Sequence, residues 1–311
     1  MNQKSKGILS AALSAAIYGF TPILARTAFD GGANGITVTF LRGALSLPFL
    51  LAALRIKNIP LQIDKDWKAI VLAGVLGISM TTLLLYMSYS YISVGMATTL
   101  HFTYPVLVTV AGALFFKDRL TRPKLIALLL CSMGIVLFME GGSASARGMI
   151  LSLLSGVTYT LYILCIDKTG LGHIHYWLLT FWLNVCMTAT SGLFGVATGQ
   201  LQLALTPKAW VLCVLVALFT AFGALPLLQQ GVRLAGASTA AILSTLEPIT
   251  SVLLGVLVLG ESISAAKLFG CGVIVASICL ITMGEGGAAL FYKATDKQRQ
   301  TCVNKGKHDC Q

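Results

Sequence analysis

The sequence predicts an all-α membrane protein with ten transmembrane helices, arranged as two inverted five-helix repeats, with both termini in the cytoplasm. Three observations lead to this fold class. Apolar residues greatly outnumber charged ones along most of the chain, ten apolar stretches have the length of a membrane-spanning helix, and the second half of the chain matches the first. The first two observations place the chain in lipid, and the third indicates an internal repeat.

The composition excludes an ordinary soluble domain. Hydrophobic residues make up 56% of the 311 residues and charged residues 11%, whereas soluble domains contain about 45–50% and about 25%; the mean hydropathy is +0.84. The net charge of +11 comes from Lys and Arg between apolar runs and in the tail, where they set topology and lie near anionic lipid. We expect the lipid bilayer and a small-molecule substrate as partners, and no nucleic acid; the sequence leaves the oligomeric state open.

The lengths of the apolar runs define the predicted helices. About 20 apolar residues in a helix cross a hydrocarbon core about 30 Å thick. Ten stretches qualify, and none shows the two-residue alternation of a membrane barrel strand. They are Gly7–Thr27, Gly35–Leu54, Trp67–Tyr89, Val94–Phe116, Lys124–Met139, Gly148–Ile166, Tyr176–Ala197, Ala209–Arg233, Ala237–Leu259 and Lys267–Met283. Beyond them the chain is polar and basic, so we expect residues 284–311 to form a mobile cytoplasmic tail.

The distribution of Lys and Arg predicts the orientation of these helices. With the N-terminus in the cytoplasm, seventeen of the 22 Lys and Arg residues fall in cytoplasmic segments and four fall outside, while Arg42 lies within the second helix. Cytoplasmic loops of membrane proteins are enriched in Lys and Arg. We therefore expect a multi-pass protein of the cell membrane, in a prokaryotic plasma membrane, with an even number of spans.

The most specific signal is the similarity between the two halves of the chain. A shift of 143 residues superimposes Pro105 on Pro248 and Asp118 on the equally acidic Glu261. Because each repeat contains an odd number of helices, the second copy starts from the opposite face of the membrane. The first repeat covers residues 7–139 and the second covers residues 148–283. Inverted repeats are typical of carriers that open one solute path to each side in turn.

Short motifs in both repeats resemble those of a known family. The first repeat contains Val94–Leu100, Tyr104-Pro105 and Lys117-Asp118, and the second contains Gly236–Leu243, Glu247-Pro248 and Gly260-Glu261. Over residues 7–283 the chain resembles the drug/metabolite transporter superfamily in its ten-helix form with two EamA-type domains, although Asp118 replaces the more usual Glu. The resemblance implies a transporter that exports or exchanges amino acids, other metabolites, nucleotide sugars or drugs, mostly without a bound cofactor.

Three ionisable residues lie within predicted helices, where a charge is costly and therefore a functional candidate. Glu247 is a proton-coupling acid, a counter-charge for a substrate amine, or a structural carboxylate beside Pro248. His101 is either a titrating group that takes part in proton coupling or a hydrogen-bonded helix contact. Arg42 binds a substrate carboxylate or phosphate, holds a helix end, or reaches toward lipid headgroups.

Polar and aromatic residues complete a predicted substrate cavity, because aromatic groups with polar tips suit amphipathic solutes. The predicted lining consists of Tyr18, Arg42, Tyr86, His101, Tyr104, Tyr159, Tyr162, Asn184, Gln229, Gln230 and Glu247. Tyr89 is a further candidate, although its place near a helix end, like that of Tyr91, also suits a membrane-interface anchor. Pro105 and Pro248 each remove a helix hydrogen bond and are candidate kinks or hinges.

Together these features favour a secondary carrier that moves small organic metabolites by alternating access. Efflux or exchange of amino acids or related compounds is the leading expectation, on family analogy; export of cationic drugs or amines is the alternative, and a channel or a receptor is less favoured. A membrane enzyme would need clustered acids, His or Cys, but His173 and His175 lack neighbouring carboxylates. We expect no metal site, since the chain has no CxxC pair, and no direct ATP hydrolysis, since it has no phosphate-binding Gly-rich loop. The family resemblance implies no bound cofactor, and we expect no catalytic residue.

Overall fold

A computed structural model describes residues 3–63, 66–118, 120–137, 145–250, 253, 264–266 and 268–280. Every regular element in these ranges is a helix, as the sequence predicts. Among these residues, seven helices are long and apolar enough to cross a membrane, and Leu268–Leu280 forms a shorter apolar helix. The ten-helix count and the cytoplasmic termini stay predictions. The basic tail, Glu261 and most of the second half of the predicted ninth helix lie outside the described residues.

The helices begin and end within four residues of the predicted bounds wherever both ends are described. In chain order they are α1 Gln3–Phe29, α2 Gly35–Ile56, α3 Trp67–Ser88, α4 Val94–Phe116, α5 Arg122–Val136, α6 Ala146–Lys168, α7 Tyr176–Ala197, α8 Pro207–Ala235, α9, which begins with Ala237–Leu243, and α10 Leu268–Leu280. Helix α9 turns at residues 244–245 and is helical again over residues 246–250. The apolar runs therefore predict where the helices begin and end. A segment that lies in lipid must satisfy its own backbone hydrogen bonds, and a helix does so.

Three helices are interrupted just before a proline. Helix α1 turns at residues 19–20 before Pro22, α4 turns at 102–103 before Pro105, and α9 turns at 244–245 before Pro248. Proline has no N–H group and its ring collides with the preceding helical turn, so regular hydrogen bonding stops there. Pro105 and Pro248 occupy matching positions of the two repeats, 143 residues apart, and the turns that precede them are 142 residues apart.

The third helix of each half contains a π-helical segment. In α3 this segment covers Leu72–Ser79, and in α8 it covers Phe219–Ala224. A π turn widens the helix and shifts the side chains that follow it, and such turns are frequent at functional sites. In each of the two helices, the π-helical segment lies N-terminal to the polar residues that line the cavities described below.

Equivalent helices of the two halves run antiparallel. In the α2–α7 pair, Gly43 lies against Thr188 and Ile36 lies against Gly195, so residue numbers rise along one helix as they fall along the other. The α5–α10 pair shows the same relation, since Ser277 donates to the carbonyl of Ala127 at 2.6 Å while Gly134 lies near residue 270. The two halves of the chain therefore cross the bundle in opposite directions.

The first helix of each half packs against the third helix of the other half. In the α1–α8 contact, Ser10 donates to Gln230 at 2.9 Å, and Ser14 donates to the carbonyl of Ala224 at 2.6 Å. In the α3–α6 contact, the hydroxyls of Thr81 and Thr158 lie 2.8 Å apart. Small residues and hydroxyls let these helices approach closely, as in other membrane bundles. These contacts between the first helix of one half and the third helix of the other bring residues from both halves to one central region.

Gly35, at the start of α2, offers a test of this close packing. A Cβ atom there would lie 2.5 Å from the carbonyl carbon of Tyr86 and 2.6 Å from the amide nitrogen of Met87. Backbone atoms cannot move aside cheaply, so Gly35→Ala should destabilise the protein by about 1–3 kcal/mol. The measurement is thermal unfolding in detergent, followed by tryptophan fluorescence.

Gly272 in α10 is the matched control, because a Cβ atom there would meet no neighbouring atom within 4 Å. Gly272→Ala should leave stability unchanged or raise it by up to about 1 kcal/mol, the difference in helix propensity. Equal losses of melting temperature in the two variants would contradict the packing argument.

Candidate functional site

One cavity brings together polar and aromatic residues from both halves of the chain. It opens to the outside and holds about 40 Å³ of space that a water-sized molecule can reach. The lining consists of Tyr18, Thr21 and Pro22 at the break in α1; Arg42 in α2; Ile78, Thr81, Thr82, Leu85, Tyr86 and Tyr89 in or directly after α3; His101 in α4; Tyr159 in α6; and Glu247 in α9. The interruptions in α1, α4 and α9 therefore lie beside the cavity, where backbone groups released from helical bonding find other partners.

Aromatic rings form much of the cavity wall. The ring centroids of Tyr86 and Tyr89 are 5.6 Å apart. The ring of Tyr159 lies 5.2 Å from that of His101 and meets the ring of Tyr104, which does not line the cavity, edge-on at 4.7 Å. Edge-to-face and tilted ring pairs at these distances are favourable. The wall therefore combines aromatic rings with polar side chains.

Arg42 is the cation of the cavity and has few partners. Its residue surface is only 5% exposed. Its Nη1 atom donates to Oγ1 of Thr82 at 3.5 Å and to the hydroxyl of Tyr86 at 3.4 Å, and both distances are longer than a normal N–H···O bond. The guanidinium also lies over the ring of Tyr18, 5.9 Å from its centroid. A guanidinium has five N–H donors, so most of its hydrogen-bonding capacity is unused.

Glu247 supplies the acid of the cavity. It follows the turn in α9, and its carbonyl oxygen lies 3.0 Å from the position that a Cβ atom would take at Gly19. The break in α1 thus allows α9 to approach closely. Within the described part of the chain, the carboxylate of Glu247 forms no ion pair with Arg42, although both side chains face the same cavity.

His101 is held by a hydrogen bond between the halves of the chain. Its Nδ1 atom lies 2.8 Å from Oγ of Ser155 in α6, and Ser155 donates its single hydroxyl proton to the carbonyl of Ser152. Nδ1 of His101 is therefore the donor, and Nε2 is left as an acceptor. This geometry favours the helix-contact interpretation of His101, while its place in the lining keeps it in reach of a bound solute.

Two phenol groups at the cavity are buried without a partner. Tyr18 is 8% exposed and Tyr89 is 3% exposed, and neither hydroxyl oxygen has a hydrogen-bond partner among the described residues. A buried hydroxyl is normally hydrogen-bonded, and leaving one unpaired costs free energy. Both hydroxyls therefore lie beside the cavity with their hydrogen-bonding capacity unused by the described residues. Tyr91, by contrast, is an exposed ring beneath Arg147.

A second, much smaller cavity, of about 10 Å³, lies at the ends of α6 and α8 and the start of α7. Gln229, Gln230 and Arg233 line it from α8, together with Tyr176 from α7. Gln229 donates to Thr180 at 3.2 Å and to the hydroxyl of Tyr162 at 3.5 Å, while its buried Oε1 atom has no partner among the described residues. Helices α6, α7 and α8 are the repeat equivalents of α1, α2 and α3, which border the main cavity.

The structure separates the predicted lining residues into three groups. Those that line the main cavity are Tyr18, Arg42, Tyr86, His101, Tyr159 and Glu247; those that line the second cavity are Gln229 and Gln230; those that line neither are Tyr104, Tyr162 and Asn184. Asn184 bonds to the carbonyl of Thr180 in its own helix at 2.8 Å and packs where α7 meets α2. Tyr104 and Tyr162 are fully buried behind the ring of Tyr159.

Sequence reasoning passed over the hydroxyl residues of α3. Thr81 and Thr82 line the cavity together with Ile78 and Leu85. The positions 78, 82, 85 and 89 follow the helical spacing of three to four residues, which places them on one face. This helical spacing beside Tyr86 could have predicted that Thr82 faces the cavity. Single Thr residues in membrane helices, however, are more often packing residues.

Outside the cavity, three charged residues form a compact cluster where α4 and α6 end. The Nζ atom of Lys168 lies 2.6 Å from Oδ1 of Asp118 and 2.9 Å from Oδ2 of Asp167.

In the loop before α7, burial and the nearby charges of Lys57 and Arg233 lower the pKa of His175. Within the described ranges, no three His, Cys, Asp or Glu side chains come together as a metal site.

Comparison with known proteins finds a family model that matches nearly the whole chain and relatives that match parts of it. The model of the EamA-like transporter family matches it twice, over residues 5–139 and 146–283. An uncharacterized transporter of Archaeoglobus fulgidus is 28% identical over 32% of this chain and 36% of its own length; another, from Synechocystis, is 30% identical over 64% of this chain and 61% of its own length. The aligned segments thus span about a third and three fifths of these two relatives.

Two further similarities extend over most of the chain. The uncharacterized transporter YcbK of Bacillus subtilis is 27% identical, over 79% of this chain and 82% of its own length. A solved crystal structure superimposes with a TM-score of 0.74 at 16% identity, and covers 90% of this chain and 98% of the other. At that identity the structural similarity concerns the fold alone.

The weak bonding of Arg42 predicts that this residue does not stabilise the fold. A buried charge with poor partners costs desolvation free energy that its interactions do not repay. We therefore expect Arg42→Met to leave the melting temperature in detergent unchanged or to raise it. Arg26→Met is the matched control, because Arg26 is half exposed and bonds weakly to Asp30. A loss of about 3 kcal/mol or more in Arg42→Met alone would show that Arg42 is structural.

Proposed function

The chain belongs to the EamA-like transporter family, and we propose that it is a secondary carrier that moves small organic metabolites across the plasma membrane by alternating access. The observation that carries this proposal is the cavity shared by both halves of the chain, with one cation, one acid and several phenol groups in its wall. Polar groups that converge among aromatic and apolar side chains are typical of sites for small organic molecules.

The antiparallel halves supply a physical basis for alternating access. Carriers with inverted repeats expose one site to each side in turn, as one half moves against the other. The second cavity supports this mechanism, because it is bordered by α6, α7 and α8, the repeat equivalents of the helices around the main cavity. The interruptions before Pro105 and Pro248 are the proposed hinges, since a break in helical bonding allows local bending.

The proposed substrates are amino acids or related compounds, moved by efflux or exchange. Arg42 offers a guanidinium to a carboxylate, and Glu247 offers a carboxylate to an amine. The alternative substrates are cationic drugs or amines, which Glu247 alone would attract. A channel is less favoured because the polar groups are enclosed among buried rings rather than arranged along an open pore.

Counterflow in proteoliposomes tests the proposal directly. Vesicles containing the purified full chain are preloaded with mixed amino acids, purines or amines, and uptake of each labelled compound is followed with and without an imposed proton gradient. Saturable exchange of at least one compound class is the expected result. Flux that rises linearly with concentration would favour a channel, and no flux of any compound class would contradict a metabolite carrier.

Glu247 is the proposed site of proton coupling. A carboxylate binds either a proton or an ammonium group, so the two compete and the movement of one is coupled to that of the other. The other titratable or charged groups that face the cavity are Arg42, His101, Tyr18, Tyr86, Tyr89 and Tyr159. Of these, His101 is the second candidate for coupling, through its Nε2 atom.

We predict that Glu247→Gln abolishes the acceleration of exchange by a proton gradient while the protein remains folded. The measurement is the ratio of initial rates with and without the gradient, combined with the melting temperature in detergent. Asp30→Asn is the matched control, because the Asp30 side chain is 75% exposed and lies outside the cavity. An unchanged ratio in Glu247→Gln would exclude the coupling role and direct attention to His101.

A further inference from the structure

Helix α4 consists of two segments, Val94–His101 and Tyr104–Phe116, joined by a turn just before Pro105. The first segment is bonded to α6 of the other half of the chain, because His101 donates to Ser155 at 2.8 Å. The second segment begins after the turn, where regular helical bonding is interrupted. A break of this kind before a proline permits bending, so the second segment can change its angle while the first stays attached to α6.

An ion pair holds the far end of the second segment. The Nζ atom of Lys168, the last residue of α6, lies 2.6 Å from Oδ1 of Asp118, just beyond the end of α4. The segment has 13 residues, so at about 1.5 Å per residue its end is about 20 Å from the turn. Asp118 belongs to the first half of the chain and Lys168 to the second. Among ion pairs between described residues, no other joins the two halves.

The end of α4 holds the Asp118 carboxylate in position. Lys117 has a left-handed backbone conformation with φ of 57°, and the amide of Asp118 then donates to the carbonyl of Gly112 at 3.0 Å. Oδ2 of Asp118 lies 2.7 Å from the position that a Cβ atom would take at Gly112. The absence of a side chain at residue 112 therefore leaves room for the carboxylate, whose Oδ1 atom bonds to Lys168.

The ion pair lies at the end of the bundle opposite the main cavity. In the first half of the chain, the lining of that cavity comes from the second halves of α1 and α3 and the first halves of α2 and α4. The ion pair forms where α4 and α6 end. Ile166 and Leu171, on either side of Lys168 in the chain, line the second cavity, which holds only about 10 Å³. The ion pair therefore joins the two halves beside the cavity that is nearly closed.

The repeat indicates that the second segment of α4 has an alternative position. Its first residue, Tyr104, corresponds to Glu247 of α9, 143 residues further along the chain. Glu247 lines the main cavity, whereas Tyr104 is 1% exposed and meets the ring of Tyr159 at 4.7 Å. Carriers with inverted repeats expose one site to each side in turn, as the repeats move against each other. For Tyr104 to line a cavity as Glu247 does, the segment must move.

Lys168 keeps a partner when its contact with Asp118 is broken. Its Nζ atom also lies 2.9 Å from Oδ2 of Asp167, the preceding residue of α6. Breaking the contact therefore does not leave an uncompensated charge, which is the costly outcome for a buried ion pair. The side chains of Lys168 and Asp118 are 20% and 32% exposed, and ion pairs that water reaches contribute little to stability. The contact between the halves can therefore open and close.

We propose that Asp118 and Lys168 form a latch, which closes the end of the bundle opposite the main cavity. When the latch opens, the segment Tyr104–Phe116 bends at the turn before Pro105 and exposes the second cavity. This inference rests on the proposed carrier function and identifies the residues that control access from the second side. Asp118 and Lys168 are positioning residues, because they act through α4 and do not contact the solute.

A reversible crosslink tests whether the latch must open. Asp118→Cys and Lys168→Cys are combined in the full chain and joined in proteoliposomes by a short methanethiosulfonate crosslinker, and the product is verified by mass spectrometry. Counterflow of the exchanged compound should be lost and should return after reduction. The two single variants, treated alike, control for the native cysteines and should keep their rates. Undiminished counterflow through the crosslinked protein would overturn the inference.

Single variants test the latch without a crosslink. In nanodiscs, Asp118→Asn or Lys168→Met should raise the rate at which a water-soluble maleimide labels Gln230→Cys in the second cavity. We expect an increase of about twofold to fivefold, the population shift that a partly exposed ion pair supports. The rate is measured by mass spectrometry of the labelled peptide.

Two controls accompany these variants. Lys168→Arg retains the charge and should keep the wild-type labelling rate. Asp30→Asn breaks the ion pair with Arg26, which lies within the first half of the chain, and should also leave the rate unchanged. A lower melting temperature of Asp118→Asn without faster labelling would show that the ion pair is only structural, and would overturn the inference.

The two experiments separate failure of the latch from failure of the carrier proposal. If no compound shows counterflow but Asp118→Asn and Lys168→Met accelerate labelling, the latch stands and the carrier proposal fails. If counterflow continues through the crosslinked protein, the carrier proposal stands and the latch fails. If no compound is exchanged and labelling is unchanged, both fail.

Discussion

The lack of water inside a bilayer is the constraint on which this structure depends. Each backbone N–H and C=O group there needs a partner within the protein, so the chain is helical wherever it faces lipid. Irregular backbone is tolerated only where it is enclosed by protein or borders a cavity. The turn in α1 at residues 19–20, the turn in α4 at 102–103 and the turn in α9 at 244–245 all lie beside the main cavity. The main cavity is therefore located beside the turns that interrupt α1, α4 and α9.

Close helix contacts hold these interrupted segments in place. Gly7 lies against Leu234, and Gly231 lies against Ala11, in the contact between α1 and α8; Gly77 lies against Tyr162 in the equivalent contact between α3 and α6. Lipid tails provide no hydrophobic drive for association, so packing of small residues and hydrogen bonds between helices supply the stability. Because the contacts are repeated in the antiparallel halves, the framework has approximate two-fold symmetry.

The chemistry on this symmetrical framework is asymmetrical. Tyr104 and Glu247 occupy equivalent positions of α4 and α9, yet Glu247 faces the cavity and Tyr104 is buried behind Tyr159. Tyr86 and Gln229 are likewise equivalent in α3 and α8, but they line different cavities. A symmetrical framework permits the same movement toward either side, while an asymmetrical set of polar groups binds an asymmetrical solute. Both properties are needed in a carrier that recognises one class of molecule.

The sequence by itself determined the helices, their approximate ends, the repeat and the family, because apolar length and residue spacing are local properties of the chain. It also marked Arg42, His101 and Glu247 individually, since ionisable residues are rare inside membrane helices. Only the tertiary structure decided which residues share a cavity. It placed Thr82 and Tyr89 in the wall, excluded Asn184, and kept Arg42 apart from Glu247. Those outcomes depend on helix rotation and on contacts between residues far apart in the chain, and no local pattern specifies either.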